Sequence, residues 1–224
     1  MEQLTYAQLV KKHGGSTIVR NPGKIMVASL IMAAYAANPG EVTQHASASS
    51  DPPKAGQDLR YTFILTTAGA NQNDQFFVED ELLDPEVYLS PVGEPINEDH
   101  EQTFKAICGE IHSSIIVPSQ GDRPLAVKCG GLILNDYPKV IRKVHQGAGR
   151  WATMSMEALP NPLERVGKYL VIHNPKFVGA GLVRFPGNKF SQIEEVSGAG
   201  RRHENSDYHA RLLSAGVDYL TSKR

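Results

Sequence analysis

Residues 107–134 read ICGEIHSSIIVPSQGDRPLAVKCGGLIL, and this stretch decides the fold. Ile107 to Val117 is rich in β-branched residues, which favour an extended, half-buried backbone. Ser119, Gln120, Gly121 and Asp122 are turn formers. Leu125 to Leu134 is again apolar and glycine-containing. Two such runs on either side of a short turn predict an antiparallel strand pair.

The same pattern extends in both directions. Upstream, Leu59 to Thr67 (LRYTFILTT) predicts another strand, followed by a turn at 68–74, AGANQND. Phe76 to Leu83 reads as a short helix or an irregular acidic stretch, and Val87 to Pro95 as a loop. Downstream, Asn135 or Asp136 can cap a helix with Pro138 in its first turn. Val140, Ile141 and Val144 share one face of that helix, and Gly147 closes it. Trp151 to Ala158, Tyr169 to His173 and Lys176 to Phe185 predict three more strands. The ends differ in character. Thr5 to His13 predicts a helix stopped by Gly14 and Gly15, and Ile25 to Ala37 a second, bounded by Asn21-Pro22-Gly23 and Asn38-Pro39-Gly40. Residues 41–57 read as a Ser/Ala/Pro/Gly linker. After Gly187 the chain turns polar, with Leu212, Leu213 and Val217 hinting at a terminal helix. The expectation is an α+β protein with an antiparallel, barrel-like β core at 58–188, a few helices, a helical N-terminal extension and linker at 1–57, and a polar C-terminal tail at 189–224.

Composition narrows the function. The 224 residues carry 23 Lys and Arg against 24 Asp and Glu, a net charge of −1. That balance does not favour broad electrostatic binding to nucleic acid. The run from Ile25 to Ala37 is shorter than the ~20 residues a membrane-spanning helix needs, and its position argues against a signal peptide. Two cysteines, Cys108 and Cys129, make neither a disulfide framework nor a zinc pattern, and a reducing compartment is expected. Both read as buried small side chains, with nucleophilic chemistry as the alternative. The GAG triplets at 147–149, 179–181 and 198–200 lack the context of a phosphate loop and read as turns. No cofactor or metal is implied.

The strand around Ser155 is unusual. Side chains alternate on a strand, so Met154 and Met156 share one face while Thr153, Ser155 and Glu157 line the other. Three polar groups in a row fit either a solvent-facing strip or a site. A nucleophilic serine needs a base, and histidine titrates in the right range. His13, His45, His203 and His209 lie in polar segments and His145 on a helix, which leaves His100, His112 and His173.

Four stretches in this order resemble the prohead (capsid maturation) serine proteases of tailed bacteriophages, relatives of the herpesvirus assembly proteases. They are LRYTFILTTAGANQNDQFFVEDEL, PINEDHEQTFKAICGEIHSSIIV, LAVKCGGLILNDYPKVIRKVHQGAGRWATMSMEAL and KFVGAGLVRFPGNK, together spanning about residues 58 to 188. The resemblance implies a herpesvirus-protease-like core, with Ser155 as nucleophile and His100 as general base, His112 being the alternative base. Glu157 matches the acidic position after the serine and would orient His100. His173, on a later strand, is the alternative third member, because Gly179-Ala180-Gly181 offers no acid. The oxyanion would need main-chain N–H donors or a water held by an arginine, for which Arg165 and Arg184 are candidates. The resemblance further implies phage scaffold, major capsid precursor and the protease itself as substrates, in the host cytoplasm inside the prohead. No nucleic-acid or membrane partner is implied, and self-association is left open. Gln192-Ile193-Glu194 has the look of a self-cleavage site. The main competing expectation is a catalytically inactive capsid- or scaffold-associated protein of the same fold, and the second is an unrelated intracellular binding module with a β-barrel core.

Overall fold

A computed structural model describes residues 4–14, 16–19, 26–27, 47–48, 56–101, 103–148, 152–159 and 162–198. The N-terminal elements are α1 (Tyr6–His13), β1 (Ser16–Val19), β2 (Met26–Val27) and β3 (Ser47–Ala48). The central part holds β4 (Leu59–Thr67), β5 (Gly69–Ala70), β6 (Gln75–Phe77), α2 (Glu79–Leu82), α3 (Pro85–Tyr88), β7 (Pro95–Glu98), β8 (Ile107–Val117) and β9 (Ala126–Ile133). Then follow α4 (Pro138–Gly147), β10 (Thr153–Leu159), β11 (Leu163–Val166), β12 (Tyr169–Ile172), β13 (Lys176–Val183) and β14 (Ile193–Gly198).

The main layer is a mixed sheet in the order β2-β10-β13-β7-β8-β9-β4-β14-β3. Its contacts are antiparallel except β13 with β7 and β14 with β3. The 107–134 hairpin sits at its centre, Gly109 opposite Ile133 and Val117 opposite Ala126. The sheet curls into a half-barrel. Gln192 bridges to Thr153 of β10, Ser191 accepts from the Met154 N–H at 3.1 Å, and Gln192 accepts from the Ile64 N–H at 3.3 Å. One short segment thus ties β4 to the far strand β10.

The inside of the curl is apolar. Tyr61, Phe63 and Leu65 of β4 alternate inward to meet Ile111, Cys129, Met154, Met156 and Phe177. Each large side chain fully buried in this way contributes roughly 1.5–3 kcal/mol. Helix α4 lays Val140, Ile141 and Val144 on the same core. A smaller sheet, β1-β11-β12-β6-β5, carries a second cluster in which Leu9 of α1 packs on Phe76, Val166 and Val171. Helix α1 starts at a capping box, Thr5 with Gln8, and stops at Gly14 with φ 58°.

Several expectations are corrected. Met26 and Val27 lie in a strand rather than in a helix from Ile25 to Ala37, and the rest of that stretch is outside the described residues. The 41–57 linker contains β3. The acidic stretch after Phe76 splits into the end of β6 and the short helix α2, and the expected loop from Val87 begins as helix α3. The sheet continues past residue 188, because β14 pairs with β4. Its polar composition conceals a strand: Ile193 and Val196 are buried while Glu194 pairs outward with Arg123 and Lys128. The expected terminal helix near Leu212, Leu213 and Val217 lies outside the described residues.

Candidate active site

Strand β10 presents two faces. Met154 and Met156 enter the core, so Ser155 and Glu157 necessarily share the opposite face. That face is covered rather than solvated: Ser155 and Glu157 are each only 2 % exposed. Thr153 is half-buried at the strand's start, its hydroxyl donating to the Val183 carbonyl at 2.7 Å.

His100 arrives from two strands away. After β7 the chain turns back through Asp99 at φ 50° and His100 at φ 59°, both in the left-handed region. Two successive non-glycine residues there are uncommon and costly, and such strain concentrates at functional sites. The turn is pinned where the Asp99 N–H donates to Leu182 at 3.0 Å and the Glu101 N–H to Glu98 at 2.9 Å. The imidazole comes to lie over Gly181 of β13. A Cβ built on Gly181 would stand 2.6 Å from His100 Nδ1 and 2.8 Å from Cε1, so only glycine leaves room for the ring.

Gly181 lies directly opposite Ser155 on β10 and beside Asn97 on β7. Residues directly opposite on neighbouring strands hold their Cβ atoms about 4.5–5.5 Å apart on one face. The ring over Gly181 is therefore the immediate neighbour of the Ser155 side chain. Glu157 is next along β10, facing Gly179, whose missing Cβ would stand 3.0 Å from Oε2. Its Oε1 meets His100 Nδ1 at 2.9 Å, with both side chains buried. Asn97 adds a longer contact, Nδ2 to Glu157 Oε1 at 3.4 Å.

These bonds define the chemistry. With Glu157 as carboxylate, Nδ1 carries the proton and Nε2 is left as the basic nitrogen. Among the described residues, His100 Nε2 and Ser155 Oγ are both buried without a hydrogen-bond partner. Leaving a buried polar atom unpaired costs about 1–3 kcal/mol. Asn97 Oδ1 is buried and unpaired as well, so three such atoms gather around Gly181, beside the satisfied bond from His100 Nδ1 to Glu157.

The structure thus brings Ser155, His100 and Glu157 together. It does not bring His173. That imidazole lies at the end of β12 in the smaller sheet, with Nδ1 2.7 Å from Glu81 and Nε2 2.7 Å from Glu164. Tyr6 also donates to Glu164, at 2.6 Å. Burial alone would lower the His173 pKa, but hydrogen bonds to the two carboxylates outweigh it and hold it above the ordinary value. His112 is likewise remote. It sits on β8, and its ring packs where a Cβ on Gly130 of β9 would be.

Arg165 lies on β11 of the smaller sheet and Arg184 is exposed, stacked on Phe185, so neither is built into the constellation. Cys108 and Cys129 are free, buried in β8 and β9, with thiol pKa values pushed up to about 12 chiefly by burial. Neither supplies a thiolate at neutral pH. Gln192–Glu194 runs into β14, which is paired on both sides, so cutting there requires that strand to leave the sheet.

Sequence reasoning missed Asn97 and the glycines at 179 and 181. The GAG triplet there reads as a turn by composition, yet it lies within β13. Comparisons with protein-family models, with curated proteins and with solved structures found no match.

Proposed function

We propose that this chain is a serine endopeptidase in which Ser155, His100 and Glu157 act as nucleophile, general base and orienting acid. The observation that carries the reading is the bond from His100 Nδ1 to Glu157, with Nε2 and the Ser155 hydroxyl both left unpaired and the ring packed over Gly181, the residue directly opposite Ser155. As Ser155 Oγ bonds to a peptide carbonyl carbon, its proton passes to His100 Nε2. Glu157 holds the ring and balances the charge the imidazole acquires. His100 returns that proton to the leaving amine as the C–N bond breaks. Water, deprotonated by the same nitrogen, then hydrolyses the acyl-enzyme on Ser155. Oxyanion stabilisation falls to main-chain N–H groups around Ser155 rather than to Arg165 or Arg184.

The resemblance of the 58–188 region to prohead maturation proteases supplies the finer reading: a herpesvirus-protease-like core acting on phage scaffold and major capsid precursor, and on itself, within the prohead in the host cytoplasm. Supporting it are the curled mixed sheet and the position of the serine and acid on one strand with the histidine in a preceding turn. Coexpression of the chain with its scaffold and capsid precursors is the test. Wild type is expected to shorten them, and Ser155→Ala to leave them intact while melting like wild type. Normal processing by Ser155→Ala refutes the proposal.

A further inference from the structure

The carboxylate of Glu157 meets a second donor besides His100. On β7, Ile96 enters the core beside Ala180, so Asn97 turns to the opposite face beside Gly181. Ser155, Gly181 and Asn97 therefore form one row across β10, β13 and β7, with the His100 ring over the middle position. Two strand spacings, about 10 Å, separate the main chains of Ser155 and Asn97. Asn97 thus flanks the ring on the side away from the nucleophile. What it reaches is Glu157, 3.4 Å from Nδ2 to Oε1.

The same Oε1 takes His100 Nδ1 at 2.9 Å, so two donors converge on one oxygen, one from β7 and one from the turn after it. The glycines of β13 leave room for this meeting. A Cβ at Gly179 would stand 3.0 Å from Glu157 Oε2, and one at Gly181 2.6 Å from His100 Nδ1. The last torsion of a glutamate is broad, so a single hydrogen bond leaves the carboxylate free to swing beside the ring. A second donor, fixed in β7, removes that freedom. The amide can serve only one way round, since exchanging Nδ2 and Oδ1 would set two acceptors face to face. That orientation leaves Oδ1 buried without a partner among the described residues. Asn97 is 3 % exposed, and an unpaired acceptor there costs about 1–3 kcal/mol, which an apolar side chain of the same shape would avoid. Packing therefore does not call for an asparagine at this position; the carboxylate does.

We propose that Asn97 is a positioning residue of this site: its Nδ2 fixes the Glu157 carboxylate across β13, so that Oε1 keeps the proton on His100 Nδ1 and leaves Nε2 as the base. The inference rests on the protease reading and adds to it a fourth side chain, one that acts through Glu157.

The test uses the full-length chain with Asn97→Leu, which removes the donor at nearly equal shape, and Asn97→Ala, which removes it without overpacking. The maximal rate of Ser155 acylation by an activated ester should fall about ten- to hundred-fold in each, the scale of a displaced reacting group. The half-saturating ester concentration should stay as in wild type, because Asn97 lies behind the ring and not against the ester. Asn97→Leu should melt within several degrees of wild type, and Asn97→Ala stands in if it does not fold. A second readout is one that a merely structural role would not move: the low-field proton NMR signal of the His100 Nδ1–H held by Glu157. It is expected in wild type and absent from the folded variants. A folded variant acylated at the wild-type rate, or slowed with that signal intact, overturns the role of Asn97 while leaving Ser155 as nucleophile. If wild type itself is not acylated at Ser155, the protease reading fails and this inference with it.

Discussion

Replacing Gly181 with alanine isolates the geometry on which the site depends. The new methyl would stand 2.6 Å from His100 Nδ1, 2.8 Å from Cε1 and 2.9 Å from Cγ. Non-bonded carbon contacts are comfortable at about 3.5–4.0 Å, so the ring must retreat by about 1 Å. Gly181 does not occupy the left-handed region, so alanine suits its backbone and the damage is confined to the ring. Alanine regains about 0.5–1 kcal/mol over glycine in a strand, against about 1–3 kcal/mol for overpacking. The net loss of stability is at most about 2.5 kcal/mol by those figures, and the protein stays folded. A 1 Å displacement of a reacting group can cost about 100-fold in rate. The assay is the burst of p-nitrophenol released from an activated ester as Ser155 is acylated, read beside a thermal melt. Gly181→Ala should slow the burst by about two orders of magnitude while melting within several degrees of wild type. A wild-type burst in a folded Gly181→Ala protein would show that the ring over Gly181 plays no part.

Three further outcomes follow from the same structure. Glu157→Gln keeps the shape but weakens the hold on Nδ1–H and removes the balancing charge; acylation should fall by about 10²–10⁴-fold with little change in melting, and an unchanged rate would remove Glu157 from the mechanism. His173 has its pKa raised by Glu81 and Glu164, so its contribution to stability is complete below its unfolded value of about 6.5 and is lost as pH rises through its folded value. Melting temperature should therefore drop over that window in wild type, and His173→Gln should flatten the drop; a parallel profile in the variant contradicts this. Iodoacetamide on the native protein should leave Cys108 and Cys129 unmodified and the ester burst intact, since burial holds both thiols protonated. Rapid alkylation with loss of activity would reopen cysteine chemistry.

Much of the central sheet was legible because its strands announce themselves by β-branched runs and turn residues, as in 107–134 and 59–67. Helix α4 was legible from its apolar spacing and Pro138. The short strands were not. β2, β3 and β14 are held by pairing with β10, β14 and β4, and a tertiary partner leaves no local signature. At the site, alternation along β10 placed Ser155 and Glu157 on one face, and the resemblance pointed to His100. That the face is buried could not be read, since it depends on what folds over β10. Gly181 was passed over because a glycine kept for an absent side chain looks the same in sequence as one kept for a turn. His173 entered only as the alternative third member that the resemblance implies; its two carboxylate partners come from α2 and β11, and a pairing across elements so far apart in the chain leaves no local signature.

The most direct measurement is mass-spectrometric mapping of the fluorophosphonate adduct on wild type and on His100→Ala. A single adduct on the peptide containing Ser155, formed by wild type and reduced by orders of magnitude in the folded His100→Ala protein, is the predicted result. An adduct on another residue, or Ser155 labelled equally fast without the imidazole, would contradict it.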